Sequence, residues 1–233
     1  MNACQPGLVC VSLAPESVAG LAETIDTIQE SADVVELRLD GMRDQRLAQG
    51  SLQLARPILA TNRPVWEGGQ FTGSEEERIT LLCQAIAAGA RYADIELRTE
   101  PTLRERVLQM ARSHQCQVVI SHHDFAMTPR SEHLQDTLNQ MMASGAGIGK
   151  IVTTAADTQD ALRVLALQGI ARAHNFPLCA FAMGAAGRIS RFATLYLGGF
   201  MTYAALTEAQ ATAPGQLTLA HLRALMGLFA RSA

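Results

Sequence analysis

The sequence predicts a (β/α)8 barrel, in which eight parallel strands close into a ring and a helix follows each strand. Three observations predict this fold. Short apolar segments alternate with longer amphipathic segments along the 233 residues, and no low-complexity stretch or long linker divides them. Neither G-x-G-x-x-G nor G-x-x-x-x-G-K-[ST] follows the first strand, which removes the usual nucleotide-binding reason for an open doubly wound sheet. We therefore expect one (β/α)8 domain over residues 1–233.

The strands are predicted from short apolar runs, which are typical of parallel strands because both of their faces are buried. The predicted strands are residues 8–13, 34–40, 57–61, 93–97, 117–121, 149–153, 177–182 and 200–204. The helices are predicted from apolar residues that recur at helical intervals. They are residues 14–31, 75–88, 101–114, 131–143, 157–175 and 217–230, with a shorter helix that begins near Ser190 between the last two strands.

The composition excludes several classes of partner. With 19 Lys+Arg against 22 Asp+Glu and a net charge of −3, the chain has no excess of positive charge for nucleic acid or an anionic membrane. The five cysteines are scattered without a C-x-x-C pair, so neither a disulfide framework nor a thiolate metal site is expected. No leader pattern and no apolar run of ~20 residues is present. We expect a cytoplasmic protein with a small-molecule partner.

Two of the predicted strands carry charges at every second position. These are Glu36, Arg38 and Asp40 in the second strand, and Asp94, Glu96 and Arg98 in the fourth. An exposed antiparallel strand with one solvated face would show the same alternation. In βαβ units, however, helices cover the outer face of the sheet, so we expect these charges to point into the barrel.

Lys150 stands out because it is the single lysine among the 19 Lys+Arg residues. It lies in an apolar strand, whereas every other basic residue apart from histidine is an arginine. A lysine at this one position suggests a function that requires an amine and that a guanidinium cannot perform. Compositional bias that left one lysine by accident is the alternative explanation. A lysine with the usual pKa of about 10.4 is almost wholly protonated at pH 7, so imine chemistry requires burial or a nearby cation. A structural ion pair with Glu36 or Glu96 would also account for a buried lysine.

Three loops after predicted strands add further candidates, because barrel active sites lie at the carboxyl ends of strands. Strand parity places His123, rather than His122, on the same face as Ser121, and a histidine is suited to proton transfer near neutral pH. The loop after the third strand carries Arg63 and Glu67. The glycine-rich segment after the seventh could bind an anion with Arg191. The last two loops could also be ordinary turns.

Several motifs follow one another along the chain. They are Glu36-x-Arg38-x-Asp40, Arg63-x-x-x-Glu67-Gly68-Gly69, Ser121-x-His123-Asp124-Phe125, Lys150-Ile151-Val152, Met183-Gly184 through Ser190-Arg191, and Ala213-Pro214-Gly215-Gln216. With these motifs the chain resembles type I 3-dehydroquinate dehydratases along nearly its full length. Each motif alone has little specificity, but their order and spacing together are highly specific.

The resemblance implies a (β/α)8 barrel that dehydrates 3-dehydroquinate to 3-dehydroshikimate in the shikimate pathway without metal or cofactor. It implies that Lys150 forms a Schiff base, that His123 is the general acid and base of a syn elimination, and that Glu67 orients the histidine. It further implies substrate binding by Ser12, Glu36, Arg38, Arg63, Arg191, Thr212 and Gln216. Asp94 and Glu96 would contact these residues and hold them in place without binding the substrate themselves. A loop over residues 213–216 would close over the substrate. A homodimer is also implied.

The chain departs from the family pattern in the eighth repeat. Thr212 replaces a common serine, Gly198-Gly199 replaces a more usual Gly-Ser, and the segment from Arg191 to Thr212 is about two residues longer than expected. Two other functions remain open. Another imine-forming enzyme, such as an aldolase for sugar phosphates, would share Lys150 but would need a phosphate site after the last strands. A non-catalytic binding protein for small acids would return its ligand unchanged.

Overall fold

The predicted (β/α)8 barrel is confirmed by the computed structural model, which describes residues 6–28, 31–211, 213 and 215–230. Its strands are β1 (Leu8–Leu13), β2 (Val34–Arg38), β3 (Ile58–Thr61), β4 (Tyr92–Glu96), β5 (Gln117–His123), β6 (Ile148–Thr154), β7 (Leu178–Met183) and β8 (Met201–Ala205). All neighbouring strands pair in parallel, in the order β7-β6-β5-β4-β3-β2-β1-β8. The ring is nearly closed, because the backbone N–H of Phe200 donates to the carbonyl of Leu178 at 2.8 Å.

Helices follow the strands and cover the outside of the barrel. They are α1 (Val18–Ile28), α2 (Glu75–Ala87), α3 (Pro101–Ser113), α4 (Ser131–Ala143), α5 (Thr158–Ala173), α6 (Gly184–Gly187), α7 (Ser190–Tyr196) and α8 (Leu219–Ala230). Local sequence explains their starts: Ser74 and Glu77 form a reciprocal capping box before α2, and Asp157 caps α5. Within the described residues, no helix is both long and apolar enough to cross a bilayer.

The barrel has two separate cores, one on each face of the strands. Outward-facing side chains such as Val35, Ile95 and Ile120 pack against the helices. Inside the barrel, Cys10, Leu59 and their neighbours form a second apolar cluster. Buried charged side chains lie on the same inner face, and barrel sites form where that face reaches the carboxyl ends of the strands.

The predicted inward charges are correct for Glu36, Asp94 and Glu96, which are 3%, 0% and 0% exposed. The prediction is wrong for the two charges that lie beyond the strand ends, Asp40 and Arg98. β2 ends at Arg38, and a 3₁₀ turn over Leu39–Gly41 carries Asp40 away from the strand face. β4 ends at Glu96, so Arg98 lies exposed, 5.2 Å from the centre of the Trp66 ring. The two-residue period holds only while the chain remains a strand.

The predicted start of the first helix is also wrong, because α1 begins at Val18 and not at residue 14. Pro15 restricts Ala14 to extended conformations and so delays the helix. Gln29 and Glu30, inside the predicted helix, lie outside the described residues. Residue 217 precedes α8, which begins at Leu219 after a β-bridge between Ala205 and Thr218.

The departure at Gly198-Gly199 has a steric reason in this fold. Gly198 has a φ of +93°, and a Cβ atom on Gly199 would lie 2.3 Å from Oγ1 of Thr194 and 2.6 Å from its carbonyl oxygen. The turn between α7 and β8 is therefore too tight for any side chain at position 199. The eighth strand forms directly after it.

Candidate active site

The carboxyl ends of the strands surround one cavity, with about 540 Å³ of empty space that is partly open to solvent. Nine of the ten predicted site residues line it. They are Ser12, Glu36, Arg38, Arg63, Glu67, His123, Lys150, Arg191 and Gln216. The tenth, Thr212, lies outside the described residues, as does Pro214 of the same motif. His122 is not among the lining residues, so the alternation along β5 places His123 on the cavity side.

Lys150 is buried at 5% exposure on β6, with its amine at the centre of the site. Its Nζ lies 3.2 Å from Oδ2 of Asp94 and 3.9 Å from Oε1 of Glu36. On another side, Nζ lies 3.9 Å from the centre of the Tyr203 ring. Two carboxylates and an aromatic face thus stabilise a positive charge at this nitrogen, whether it is an ammonium or a protonated imine.

Asp94 belongs to a buried row of alternating charges. Its Oδ1 lies 2.8 Å from Arg63, and Arg63 also pairs with Glu96 at 2.6 Å. Glu96 in turn accepts from Arg78, a wholly buried residue of α2, at 2.5 Å. Burial opposes the charge on Arg63, but the surrounding carboxylates raise its pKa above the usual value. Through this row, Asp94, which pairs with Lys150, is connected to helix α2 on the outside of the barrel.

This row bears on the predicted role of Arg63. The guanidinium donates to Glu96 and Ser121, is paired with Asp94, and is 4% exposed. It contacts the cavity, yet several of its donors are already used inside the protein. We expect its larger contribution to be the placement of Asp94.

Glu36 and Ser12 form a second polar group near Lys150. The hydroxyl of Ser12 donates to Oε2 of Glu36, and the hydroxyl of Thr61 donates to Oε1 at 2.9 Å. These bonds satisfy a carboxylate that is only 3% exposed. Strand pairing explains the contact, since Ser12 is opposite Glu36 in β1 and β2.

Glu67 and His123 approach each other from different loops. Oε1 of Glu67 lies 3.0 Å from Nδ1 of His123 and also accepts the backbone N–H of His123 at 3.0 Å. Glu67 is held by a 3₁₀ turn that closes tightly behind it: a Cβ on Gly69 would lie 2.0 Å from the carbonyl oxygen of Arg63. The Glu67-Gly68-Gly69 motif thus has a steric cause.

The electrostatics of this pair favour a neutral histidine. Burial, with the nearby charges of Arg63 and Lys150, lowers the pKa of His123 well below its usual value. Burial also raises the pKa of Glu67 to about 8, against the lowering effect of Arg63. Because Oε1 already accepts the backbone N–H, it most simply accepts from Nδ1–H as well. That tautomer leaves Nε2 of His123 as a free base.

Two arginines supply positive charge at the other edges of the cavity. Arg38 is fixed by a bidentate pair with Asp40, at 2.9 and 2.6 Å. Arg191, at the start of α7, is 2% exposed and lies 4.9 Å from the centre of the Phe181 ring. Burial lowers the pKa of Arg191 to about 10. A bound carboxylate would offset this cost of burying the cation.

Seven lining residues were not among the predicted site residues. They are Gly68, Phe125, Val152, Phe181, Met183, Tyr203 and Ala213. Five of them stand in the family motifs but were given no individual contact, whereas Phe181 and Tyr203 resemble ordinary barrel core in the sequence. The direct contact of Asp94 with Lys150 was also missed. Its only signal was the two-residue alternation in β4, which places Asp94 inside the barrel but not beside a particular partner.

Together the side chains provide a buried amine held beside two carboxylates, a neutral imidazole with one free nitrogen, and two cationic groups at the rim. A buried amine can form an imine with a ketone, and a neutral imidazole can move a proton in the same cavity. The cations suit an anionic ligand. The arrangement therefore fits covalent catalysis on a small keto acid.

Comparison with known proteins identifies the family. The model of the type I 3-dehydroquinase family matches residues 9–232. A 3-dehydroquinate dehydratase of Desulfotalea psychrophila is 39% identical over 223 residues, covering 96% of this chain and 97% of the relative; that of Syntrophobacter fumaroxidans is 38% identical over 228 residues, covering 94% and 95%. The crystal structure of 3-dehydroquinate dehydratase from Geobacillus kaustophilus HTA426 superposes with a TM-score of 0.87 at 28% identity, covering 97% of this chain and 91% of that one. The chain belongs to the type I 3-dehydroquinase family.

Proposed function

We propose that this chain converts 3-dehydroquinate to 3-dehydroshikimate, in the shikimate pathway of aromatic amino acid biosynthesis, through an imine on Lys150. The observation that carries the proposal is the placement of the single lysine, 5% exposed, in the same cavity as a histidine whose Nδ1 is held by Glu67. Family membership supports the same reaction.

The first step joins the substrate to the protein. The Lys150 nitrogen, starting as the ammonium, gives up one proton and attacks the C3 carbonyl carbon. Two of its three protons end on the carbonyl oxygen, which leaves as water, and the third remains on the nitrogen of a protonated imine. Asp94 and Glu36 lie 3.2 and 3.9 Å from the nitrogen and stabilise its positive charge. The imine withdraws electrons from C2 and so makes the neighbouring C–H bond more acidic.

His123 carries out the elimination. Nε2 takes the C2 proton, the electron pair forms an enamine, and the enamine then expels the C1 hydroxyl. His123 returns the proton to that hydroxyl, which leaves as water, and the imine re-forms on Lys150. Hydrolysis of the imine releases product. Because one base serves both C2 and C1, the elimination is syn.

The cationic groups hold the anionic end of the substrate. Arg191 is a buried cation that lines the cavity, and a bound anion would offset the cost of its burial, so we assign the substrate carboxylate to it. Arg38, Glu36 and Gln216 contact the same cavity and suit the ring hydroxyls. The loop that includes Gln216 would close over the bound ring.

Reductive trapping tests the proposal directly. The protein is mixed with 3-dehydroquinate and borohydride, its intact mass is measured, and the modified peptide is mapped. We expect one ligand mass on Lys150, with dehydroshikimate absorbance in the untrapped reaction. The matched control is Lys150→Arg, which keeps a positive charge beside Asp94 but cannot form an imine. Turnover that persists in this variant would refute the covalent route.

We also propose that the chain is a cytoplasmic homodimer, supported by its family resemblance. Sedimentation equilibrium measures the mass of the assembly, and a single species at the 25.0 kDa mass of one chain would contradict the dimer.

A further inference from the structure

Phe125 lies against the imidazole of His123 at the rim of the cavity. The two ring centres are 6.0 Å apart and their planes differ by 14°, an offset stack. Phe125 is 49% exposed, whereas the side chain of His123 is 11% exposed. Phe125 is therefore not part of either core, and its exposed ring lies beside a much more buried imidazole.

The outer edge of the Phe125 ring is seated on Gly68. A Cβ on Gly68 would lie 2.3 Å from Cζ of Phe125, and Gly68 has a φ of +76°. Position 68 thus has no room for a side chain while the ring occupies this place. Gly68 directly follows Glu67, so two contacts join the same two loops: Glu67 with His123, and Gly68 with Phe125.

We propose that Phe125 is a positioning residue for His123: its ring, seated against Gly68, covers the imidazole and holds it on Glu67. The inference rests on the proposed function, since it concerns the step assigned to His123. It adds a reason for the glycine at position 68 beyond the turn conformation.

The position of the Phe125 ring also bears on the pKa of His123. The charged and titratable groups that act on His123 are Glu67, Arg63, Lys150, His122 and Arg38. Burial is nevertheless the largest cause of the lowered pKa of His123. Removing the ring admits water to the imidazole and stabilises its charged form, so the pKa of His123 should rise toward its usual value.

Two variants test the proposal, Phe125→Ala and Phe125→Leu. We expect kcat to fall by about 5- to 10-fold in Phe125→Ala, the range of an aromatic pair, with KM within about threefold of the unaltered chain. Phe125→Leu keeps an apolar side chain over the imidazole but lacks a flat ring, so its kcat should lie between those of the unaltered chain and Phe125→Ala. The acidic limb of kcat/KM should move to higher pH. The yield of borohydride adduct on Lys150 at saturating substrate should stay the same, because Lys150 is untouched.

Gly68→Ala provides the coupling test. Its methyl group must displace the Phe125 ring, so we expect the same change in kcat and in the acidic limb. The double variant should be no worse than either single variant, since both remove the same contact. Met127→Ala is the matched control: Met127 is 59% exposed in the same loop, and its loss should leave kcat and the pH profile unchanged.

Three results would overturn the proposal: unchanged kcat and pH profile in Phe125→Ala, additive losses in the double variant, or a KM effect without a kcat effect. The failure of the proposed function is distinguishable from these, because it would show as no adduct and no turnover in the unaltered chain. Loss of adduct in Phe125→Ala alone would assign the ring to Lys150 and also contradict the inference.

Discussion

In the proposed mechanism, His123 is the residue whose protonation state decides whether the site can act as a base. Its lowered pKa, caused first by burial and then by Arg63 and Lys150, means that the imidazole remains neutral at pH values where an exposed histidine is charged. A base must be neutral to accept the C2 proton, so activity should persist as the pH falls through 6.5. We expect the acidic limb of a kcat/KM profile below pH 6.5. A limb at or above 6.5 would contradict the neutral, buried imidazole.

Arg191 offers a second test at the scale of one residue. Arg191→Ala removes the buried guanidinium that we assign to the substrate carboxylate, so KM should rise by about 10- to 100-fold, as for one charge-assisted contact. The KM of Arg191→Lys should lie between those of the unaltered chain and Arg191→Ala, because lysine keeps the positive charge but lacks the planar guanidinium that binds both carboxylate oxygens. The exposed Arg188 in the same segment is the matched control. Steady-state kinetics measure all three; an unchanged KM in Arg191→Ala would remove it from carboxylate binding.

Short turns between elements determine where the site residues stand. The turn at Gly198-Gly199 carries the chain from α7 into β8, and β8 presents Tyr203 to Lys150. The turn at Gly68-Gly69 places Glu67 opposite His123. Both turns depend on the absence of a side chain, so steric fit at a few backbone positions controls the geometry of the cavity.

Gly199→Ala should destabilise the fold. Its Cβ would meet Thr194 at 2.3 Å, and forcing an extra methyl into a packed turn costs about 1–3 kcal/mol. Gly169→Ala is the matched control with the opposite sign: Gly169 lies inside α5 and nothing stands within 4 Å of its added Cβ. That change should stabilise the protein by about 0.5–1 kcal/mol. Thermal unfolding of both variants checks the prediction, which equal shifts in Tm would contradict.

Across the whole molecule, the buried charges connect the site to its scaffold. The row from Lys150 through Asp94, Arg63 and Glu96 ends at Arg78 on α2. Within this row, each buried charge lies next to a charge of opposite sign, which offsets the cost of removing it from water. The cavity and the helix layer are thus electrostatically coupled.

Arg78→Met tests this coupling. It leaves the buried carboxylate of Glu96 without one of its two cations, so we expect a loss of about 3–5 kcal/mol in the free energy of unfolding. Arg106→Met breaks the exposed pair with Glu76 and should change stability little. Denaturant titrations of both variants measure the difference. Similar small losses would mean that the buried row is not important for stability.

The sequence by itself determined the fold class, the order of strands and helices, and most members of the site. Local periodicity records which residues face inward, and a single lysine among arginines marks the site even without a structure. The ends of β2 and β4 were predicted too late, because the alternation of residues continues in the sequence beyond the point where a turn ends the strand. The start of α1 was predicted too early, because Pro15 delays the helix.

Only the tertiary structure decided which of these residues touch. Asp94 and Lys150 lie 56 positions apart in the sequence, yet their side chains are 3.2 Å apart. Arg63, which we expected to bind the substrate, forms ion pairs with Asp94 and Glu96. Tyr203, which in the sequence resembles a core aromatic, lies against Lys150. Phe125 stands in a family motif, but only the structure shows that its ring lies against His123. Sequence periodicity fixes direction within one strand, but contacts across a barrel depend on the tilt, register and closure of strands that are distant in the chain.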